Sequence, residues 1–396
     1  MMYLCPLNNA AMLIERLQKE NLQYEIAQSN KVLVLYGARQ VGKTTLVREA
    51  LRGFSGKILE INADMAPFVE ALSSRNLDQL KGLVQGYDLL FIDEAQRIPD
   101  IGINLKILHD QIPSLKIIAT GSSSLDLANR VKEPLTGRTW TFQLHPISAE
   151  EWAKHKGAND FEMGLKLDEW LIYGLYPEVL GIENHGRKER YLQELTQSYL
   201  YKDLLTLANI RYPEKLRQLL KLLAWQVGSL VSVNELANTL QINRDAVDNY
   251  LDLLEKSFVI FRLSGFSRNL RKEMTKMDKI YFYDLGVRNA LIGNFNSLTS
   301  RQDTGHLWEN FLIAERLKTA HYHFRYASRF FWRTQTGAEL DLVEETGGQL
   351  HGFEFKWGQK TASAPRAWIE NYPNATFQCV NRDNFMGFVR MGGREV

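Results

Sequence analysis

Apolar residues recur along this chain in two rhythms. Over residues 11–22, Met12, Leu13, Leu17 and Leu22 fall among Glu15, Arg16, Lys19 and Glu20, a spacing that predicts a leading amphipathic helix. Residues 32–36 form an unbroken apolar run, as a strand buried on both faces does, and residues 44–51 return to helical spacing. Residues 57–62, 89–92 and 116–119 predict further strands, with a helix from about Pro67 and an alternating strand over 139–144. Buried strands alternating with helices predict a parallel α/β sheet.

Beyond residue 147 the pattern becomes helical. Ser148-Ala149-Glu150-Glu151 has the form of a capping box, in which Ser148 accepts from the first turn and Glu151 reaches back. Gly174-Leu175-Tyr176-Pro177-Glu178 reads as a turn between helices. Helical spacing returns over 192–207 and 216–227. Two short helices over 232–240 and 244–256, then apolar strands over 258–263 and 280–283, predict a winged helix-turn-helix. Its second helix carries Asp245, Asp248, Asp252 and Glu255, too acidic for a groove reader. The hairpin between the strands is basic, with Arg268, Arg271, Lys272, Lys276 and Lys279 available to touch phosphates or to remain a solvated wing.

At 396 residues, 45% hydrophobic and 24% charged, the chain has the composition of a globular protein of two or three domains. A net charge of only +2 confines any nucleic-acid site to a local patch. Cys5 and Cys379 lie far apart without metal-ligand spacing, no apolar run reaches membrane-spanning length, and the N-terminus lacks a signal-peptide layout. These features predict a cytoplasmic protein without a membrane.

The first strand leads into Gly37-Ala38-Arg39-Gln40-Val41-Gly42-Lys43-Thr44, which fits Gly-x4-Gly-Lys-Ser/Thr and is followed by Thr45. A strand, a Gly-rich loop and a helix N-terminus form a phosphate cradle of backbone N–H groups, with Lys43 reaching the β- and γ-phosphates and Thr44 ligating Mg²⁺. ATP and Mg²⁺ are the expected cofactors. Residues 89–94 end in Asp93 and Glu94, the former to hold Mg²⁺ and the latter to activate the attacking water. Thr120 or Ser122, at the tip of the 116–119 strand, is a candidate γ-phosphate sensor; Ser124 or Asp126 could instead cap a following helix. Arg138 is a candidate arginine finger in cis or in trans, with a plain surface arginine as the other reading.

These segments resemble a family of bacterial and archaeal AAA-type P-loop ATPases whose members carry a nuclease-like C-terminal domain of unknown function. Family loops often have proline where this chain has Ala38, and the 174–178 turn is usually Gly-Gly-Phe-Pro-Glu in the family. AAA-type ATPases often complete their sites across subunits, so the resemblance leaves an oligomer, a dimer or ring, open.

Chemistry returns near the C-terminus. Glu309 lies at the start of a helix, Glu339 and Asp341 share one face of a strand, and Glu354 and Lys356 share one face of the next, opposite Phe353 and Phe355. Adjacent strands would gather Asp341, Glu354 and Lys356, two carboxylates for a divalent metal and a lysine for the water. The arrangement looks like a restriction-endonuclease core, Asp…Glu-x-Lys, with Glu309 matching an added helix carboxylate.

The expected fold class is therefore α/β: a P-loop ATPase domain over 1–147, a helical and winged-helix region over 148–295, and a nuclease-like domain over 296–396. The expected activity is ATP hydrolysis, by Lys43 and Glu94, that controls a C-terminal domain binding or cutting nucleic acid through Asp341, Glu354 and Lys356. The alternative is a switch whose inactive C-terminal domain holds a protein partner.

Overall fold

The computed structural model describes residues 13–122, 135–200, 210, 212–267 and 277–390. The strands β1 (Val32–Tyr36), β2 (Ile58–Asn62), β3 (Leu89–Asp93), β4 (Lys116–Gly121) and β5 (Thr139–Gln143) form one sheet in the order β2-β3-β4-β1-β5. All four pairings are parallel. The unbroken apolar runs are what such a sheet needs: every residue of β1 is buried, as are Leu89, Leu90, Phe91 and Ile92 of β3. Because the strands run the same way, the loop after β1, Asp93 at the end of β3 and Thr120 in β4 emerge at one edge.

The leading helix begins later than its apolar spacing predicts, at Gln18–Gln28. The backbone N–H of Leu17 and the side chain of Arg16 both donate to Glu151 Oε1, at 3.0 and 2.9 Å. Those long-range bonds hold residues 16 and 17 ahead of the helix. Residues 11 and 12, and the capping candidates Ser124 and Asp126, lie outside the described residues.

The capping box forms at helix Ala149–Lys156: Glu151 N donates to Ser148 Oγ at 3.1 Å and Ser148 N to Glu151 Oε2 at 2.9 Å. Helices Asp160–Tyr173, Pro177–Gly181 and His185–Glu194 follow, the last running into a π-helical turn, Leu195–Leu200. The turn at 174–178 is more than a linker. Gly174, at φ 72, lies so close to Asp284 that an added Cβ would sit 2.2 Å from Oδ1, and Leu175 N donates to Asp284 Oδ2 at 2.7 Å.

Helix Pro213–Trp225 precedes β6 (Leu230–Val231), the paired helices Val233–Leu240 and Arg244–Lys256, β7 (Ile260–Gly265) and β8 (Asp278–Phe282). Ser232 and Asn243 cap the two helices by accepting backbone N–H bonds. Part of the second helix's acidity is structural, because Asp252 and Glu255 hold Arg262 of β7 at 2.5 and 2.8 Å. Of the basic hairpin residues, Arg268, Arg271, Lys272 and Lys276 lie outside the described residues. Lys279 is buried and faces inward, so the expectation of a phosphate-facing base is corrected at that position.

The C-terminal region runs helix Thr304–Tyr322, β9 (Ser328–Arg333), β10 (Glu339–Thr346), β11 (Gln349–Phe355), helix Arg366–Asn371, β12 (Thr376–Val380) and helix Phe385–Val389. β9, β10 and β11 form an antiparallel meander, and β12 joins β11 in parallel. A parallel contact between β7 and β9, Ser264 to Phe330 and Gly265 to Phe331, makes one seven-stranded sheet, β12-β11-β10-β9-β7-β8-β6. Helix Thr304–Tyr322 is buried along most of its length, and Asn310 ties it to β8 through both backbone groups of Phe282, each at 2.8 Å. Among the described residues no helix is long and apolar enough to cross a membrane.

Candidate active site

The phosphate loop is shaped by two left-handed residues, Gln40 at φ 61 and Gly42 at φ 94. Gly37 admits no side chain, because a Cβ there would lie 2.1 Å from the Leu144 carbonyl oxygen. Lys43 opens helix Lys43–Ala50 and folds back over the loop, donating to the carbonyls of Gly37 and Ala38 at 2.9 Å each. A buried ammonium thus stands within the cradle, beside the positive end of the helix.

Across the loop, Thr44 Oγ1 donates to Asp93 Oδ2 at 2.8 Å, and Thr120 Oγ1 donates to Asp93 Oδ1. Hydroxyl and carboxylate are hard oxygen donors of the kind Mg²⁺ takes, and they are already side by side, so these residues fit the ion. Glu94 follows Asp93 in the left-handed region at φ 56, and its backbone N–H donates to Thr120 Oγ1 at 3.3 Å. Gln96 Nε2 bridges Glu94 Oε2 and Ser122 Oγ, the latter at 2.9 Å. Both Thr120 and Ser122 therefore belong to the site, and Gln96, to which the sequence attached no role, orients the Glu94 carboxylate.

Beside the loop is a cavity of about 350 Å³ whose apolar wall includes Leu13, Ile14, Leu46, Ile147 and Pro177, with Thr45 and Gly42 at the phosphate side. It suits a flat base attached to the phosphates. Its walls come from before β1, from the phosphate-loop helix and from the 174–178 turn, which is why no single motif announces it.

Arg16 is the second residue that sequence reasoning missed. It is buried, donating from Nη1 to the Val41 carbonyl at 2.7 Å, from Nε to Glu151, and from Nη2 to the His145 carbonyl at 2.7 Å and the Tyr322 hydroxyl at 3.1 Å. One guanidinium thus touches the phosphate loop, the first middle helix and the long C-terminal helix. Next to it His145 Nε2 and His321 Nδ1 lie 2.8 Å apart with stacked rings. Burial pushes both imidazoles down, His321 to about 4.

Arg138 is elsewhere. Its carbonyl accepts from Val32 N at the start of β1, and its side chain pairs with Asp110 at 2.8 Å on the surface. The five residues of β1 separate it from its own phosphate loop by about 16 Å. The cis arginine-finger expectation is corrected by the direction of the parallel strands: Arg138 precedes β5, while the loop follows β1. Gln40 faces the middle region, its Oε1 accepting from the Tyr191 hydroxyl at 2.7 Å.

At the C-terminal cluster, Asp341, Glu354 and Lys356 do come together. Phe355 N donates to Asp341 Oδ2 at 2.7 Å and Lys356 Nζ to Glu354 Oε1 at 2.5 Å. Burial, reinforced by Glu309 and Glu354, raises the Asp341 carboxyl well above its usual range. Glu309 is differently engaged. Its Oε1 accepts from Lys279 at 3.0 Å and from Tyr281 at 2.6 Å, and Lys279 also meets Glu339 at 2.6 Å. Burial would lower the Lys279 ammonium, but Glu309, Asp341 and Glu339 outweigh it and hold it above its ordinary value. Glu309, Asp341 and Glu354 do not converge as a metal cage: among the described residues no group of three His, Cys, Asp or Glu side chains does. The expected three-carboxylate set is corrected because an internal lysine binds the helix carboxylate.

An AAA domain model matches residues 29–153, and models of two domains of unknown function, DUF8612 and DUF4143, match residues 164–298 and 304–383. Over 351 residues the chain is 31% identical to Uncharacterized protein Rv2008c of Mycobacterium tuberculosis, covering 88% of this chain and 75% of that protein. The chain belongs to the family of that protein. Within the family's reach, Uncharacterized protein MJ1544 of Methanocaldococcus jannaschii is 26% identical over 307 residues, 72% of this chain and 66% of that protein. Among solved structures, the Walker-type ATPase PABY2304 of Pyrococcus abyssi aligns with 70% of this chain and 96% of that chain, at 18% identity and a TM-score of 0.49. The family's first domain is here an AAA-type P-loop ATPase domain, a nucleotide-binding module.

Proposed function

We propose that the chain binds and hydrolyses ATP at the phosphate loop and passes its nucleotide state to the C-terminal region. The observation that carries this reading is Arg16, bonded at once to the Val41 carbonyl of the loop and to Tyr322 of the helix that also bears Glu309. The loop's backbone N–H groups and Lys43 would receive the β- and γ-phosphates, Lys43 exchanging the Gly37 and Ala38 carbonyls for phosphate oxygens. Thr44 and Asp93 would hold Mg²⁺, which offsets phosphate charge when bound. Glu94, oriented by Gln96, would take a proton from the attacking water, and Thr120 would fix Asp93. The base would lie against Ile14, Leu46 and Ile147.

The helix-strand-strand-strand-helix-strand order, with Asp341 on β10, Glu354 near the end of β11 and Lys356 just past it, supports the restriction-endonuclease-like reading of the C-terminal domain, with nucleic acid as its ligand. A second reading is favoured by Lys279: with Glu309 and Glu339 neutralised internally, the domain serves as an inactive scaffold that holds a protein partner according to nucleotide state. The experiment is to assay ATP turnover by the wild type, Lys43→Ala and Glu94→Gln, and to score plasmid and single-stranded DNA cleavage with and without ATP. ATPase activity unaffected by either substitution would overturn the site. Cleavage lost in Lys356→Ala supports the nuclease, and a stoichiometric protein co-purifying only with ATP supports the scaffold.

A further inference from the structure

Given the ATP reading proposed above, on which this rests, we infer that the long C-terminal helix Thr304–Tyr322 reads the nucleotide through its base. Glu315 and Lys318 of that helix are positioning residues that hold Ile147 in the wall of the base cavity. Residues 145–149 carry the chain from the end of the ATPase sheet into helix Ala149–Lys156, and the C-terminal helix binds this stretch at every second residue. Tyr322 Oη accepts His145 N at 3.1 Å, Lys318 Nζ donates to the Ile147 carbonyl at 3.3 Å, and Glu315 Oε2 accepts Ala149 N at 2.6 Å. Positions 315, 318 and 322 share one helix face, so the contacts form a ladder whose two sides run in opposite directions.

Two of the three rungs are charged and buried. Glu315 and Lys318 are each 1% exposed, and Lys318 Nζ donates to Glu315 Oε1 at 2.7 Å. A buried ion pair adds little net stability, because desolvation offsets the attraction. This one meets backbone groups on both sides of Ser148. The carboxylate takes an N–H that a helix N-terminus leaves unpaired, and the ammonium takes the Ile147 carbonyl. Apolar side chains in their place would leave both groups buried without those partners. The pair therefore fixes the position of residues 147–149 against the C-terminal helix.

Between these rungs, the Ile147 side chain lines the cavity of about 350 Å³ beside the phosphate loop. Its backbone N–H donates to the Leu175 carbonyl at 2.9 Å, and Pro177, two residues on, lines the same cavity. Leu175 N is held in turn by Asp284, and Leu175, Asp284, Glu315 and Lys318 border one void of about 10 Å³, the room of about one water. The wall that meets the base is thus supported from the C-terminal side. Tyr322, the third rung, joins the phosphate loop through Arg16, whereas Glu315 and Lys318 bond on the base side.

The test measures the affinity of the full chain for ATP and for inorganic tripolyphosphate, both with Mg²⁺, by displacement of a fluorescent ATP analogue. Tripolyphosphate offers the loop its phosphates without a base, so the ratio of the two affinities isolates the base. Ile147→Ala, which truncates the wall itself, should lower that ratio roughly tenfold. Lys318→Met should lower it by a similar factor, with tripolyphosphate affinity changed by less than about threefold. A side chain that served folding alone would weaken both ligands or neither, so a folded Lys318→Met with the wild-type ratio would overturn the inference. Should Lys318→Met fail to fold, hydrogen exchange of the wild type decides: saturating ATP should slow exchange over residues 147–152 at least about threefold more than saturating tripolyphosphate, and equal protection would overturn it. A wild type that binds neither ligand overturns the ATP reading itself. One that binds both, with the ratio unmoved by Ile147→Ala, overturns the base wall and this inference alone.

Discussion

Arg16 Nη2 donates to the Tyr322 hydroxyl at 3.1 Å across 306 positions of sequence, and the same hydroxyl accepts His145 N at 3.1 Å. Tyr322→Phe keeps the ring and removes this acceptor. Two buried donors then lose a partner, so thermal stability should fall by about 1–3 kcal/mol. If the contact transmits nucleotide state, ATP binding should also cease to change protease sensitivity of the C-terminal region, while turnover stays within about threefold. Unaltered ATP-dependent protection in the variant would show that the signal travels elsewhere.

Arg16→Met is the harsher change. It leaves Glu151, itself half of the capping box, buried without its cation and frees the Val41 carbonyl. Removing one partner of a buried pair costs about 3–5 kcal/mol. Calorimetric unfolding should show that loss, together with weaker ATP binding.

Lys43→Ala should abolish ATP binding, whereas Glu94→Gln should bind ATP and lose turnover by roughly 100-fold or more. Equilibrium binding of a fluorescent ATP analogue separates the two outcomes. Because Gln96 holds Glu94 Oε2, Gln96→Ala should lower turnover more than affinity.

Acid should loosen the interface beside the phosphate loop. His321, pushed down to about 4 by burial and by Arg329, ordinarily titrates near 6.5. Between those values the unfolded chain binds more protons than the folded one, so stability rises with pH across that window and falls as pH drops from about 6.5 to 4. The full shift corresponds to about 3 kcal/mol. Melting curves from pH 7.5 to 5 should show the decline, and His321→Gln should flatten it.

Gly37→Ala should destroy the nucleotide site, since the added Cβ meets the Leu144 carbonyl at 2.1 Å. Gly53→Ala is the control: it sits at φ +96 with nothing within 4 Å, so it should cost about 1–3 kcal/mol through backbone strain alone and leave ATP binding intact. Equal loss of binding by both variants would contradict the close packing of the loop.

The phosphate loop and Asp93-Glu94 were legible in the sequence because each is contiguous and each follows an apolar strand. Thr120 and Ser122 followed from the next strand tip. Arg16 was not legible: its partners lie at positions 41, 145, 151 and 322, brought together only by packing. Lys279 was misread because the basic residues of its hairpin were counted by sequence neighbourhood. Its signal was there, however, in Lys279 alternating with Tyr281 in a strand whose later residues are apolar or aromatic, a face that a solvated wing would not bury. Of the two readings that its motif left open for Arg138, finger or surface arginine, the strand direction and the Asp110 pair favour the surface one. Asp341, Glu354 and Lys356 were brought together by strand alternation alone; the pairing of Lys279 with Glu309 and Glu339 beside them was unforeseen.

The two-residue pairing of β7 with β9 has a practical consequence for anyone dividing this chain. A cut anywhere between residues 298 and 304 would open one side of β7 and one side of β9, giving each fragment a raw strand margin ready to recruit another chain. It would also strand Glu309 and Glu339 without the lysine that neutralises them. The carboxylate cluster is therefore not a cassette that can be excised or grafted by itself. Its smallest transplantable unit reaches back to Leu230, where the sheet actually ends.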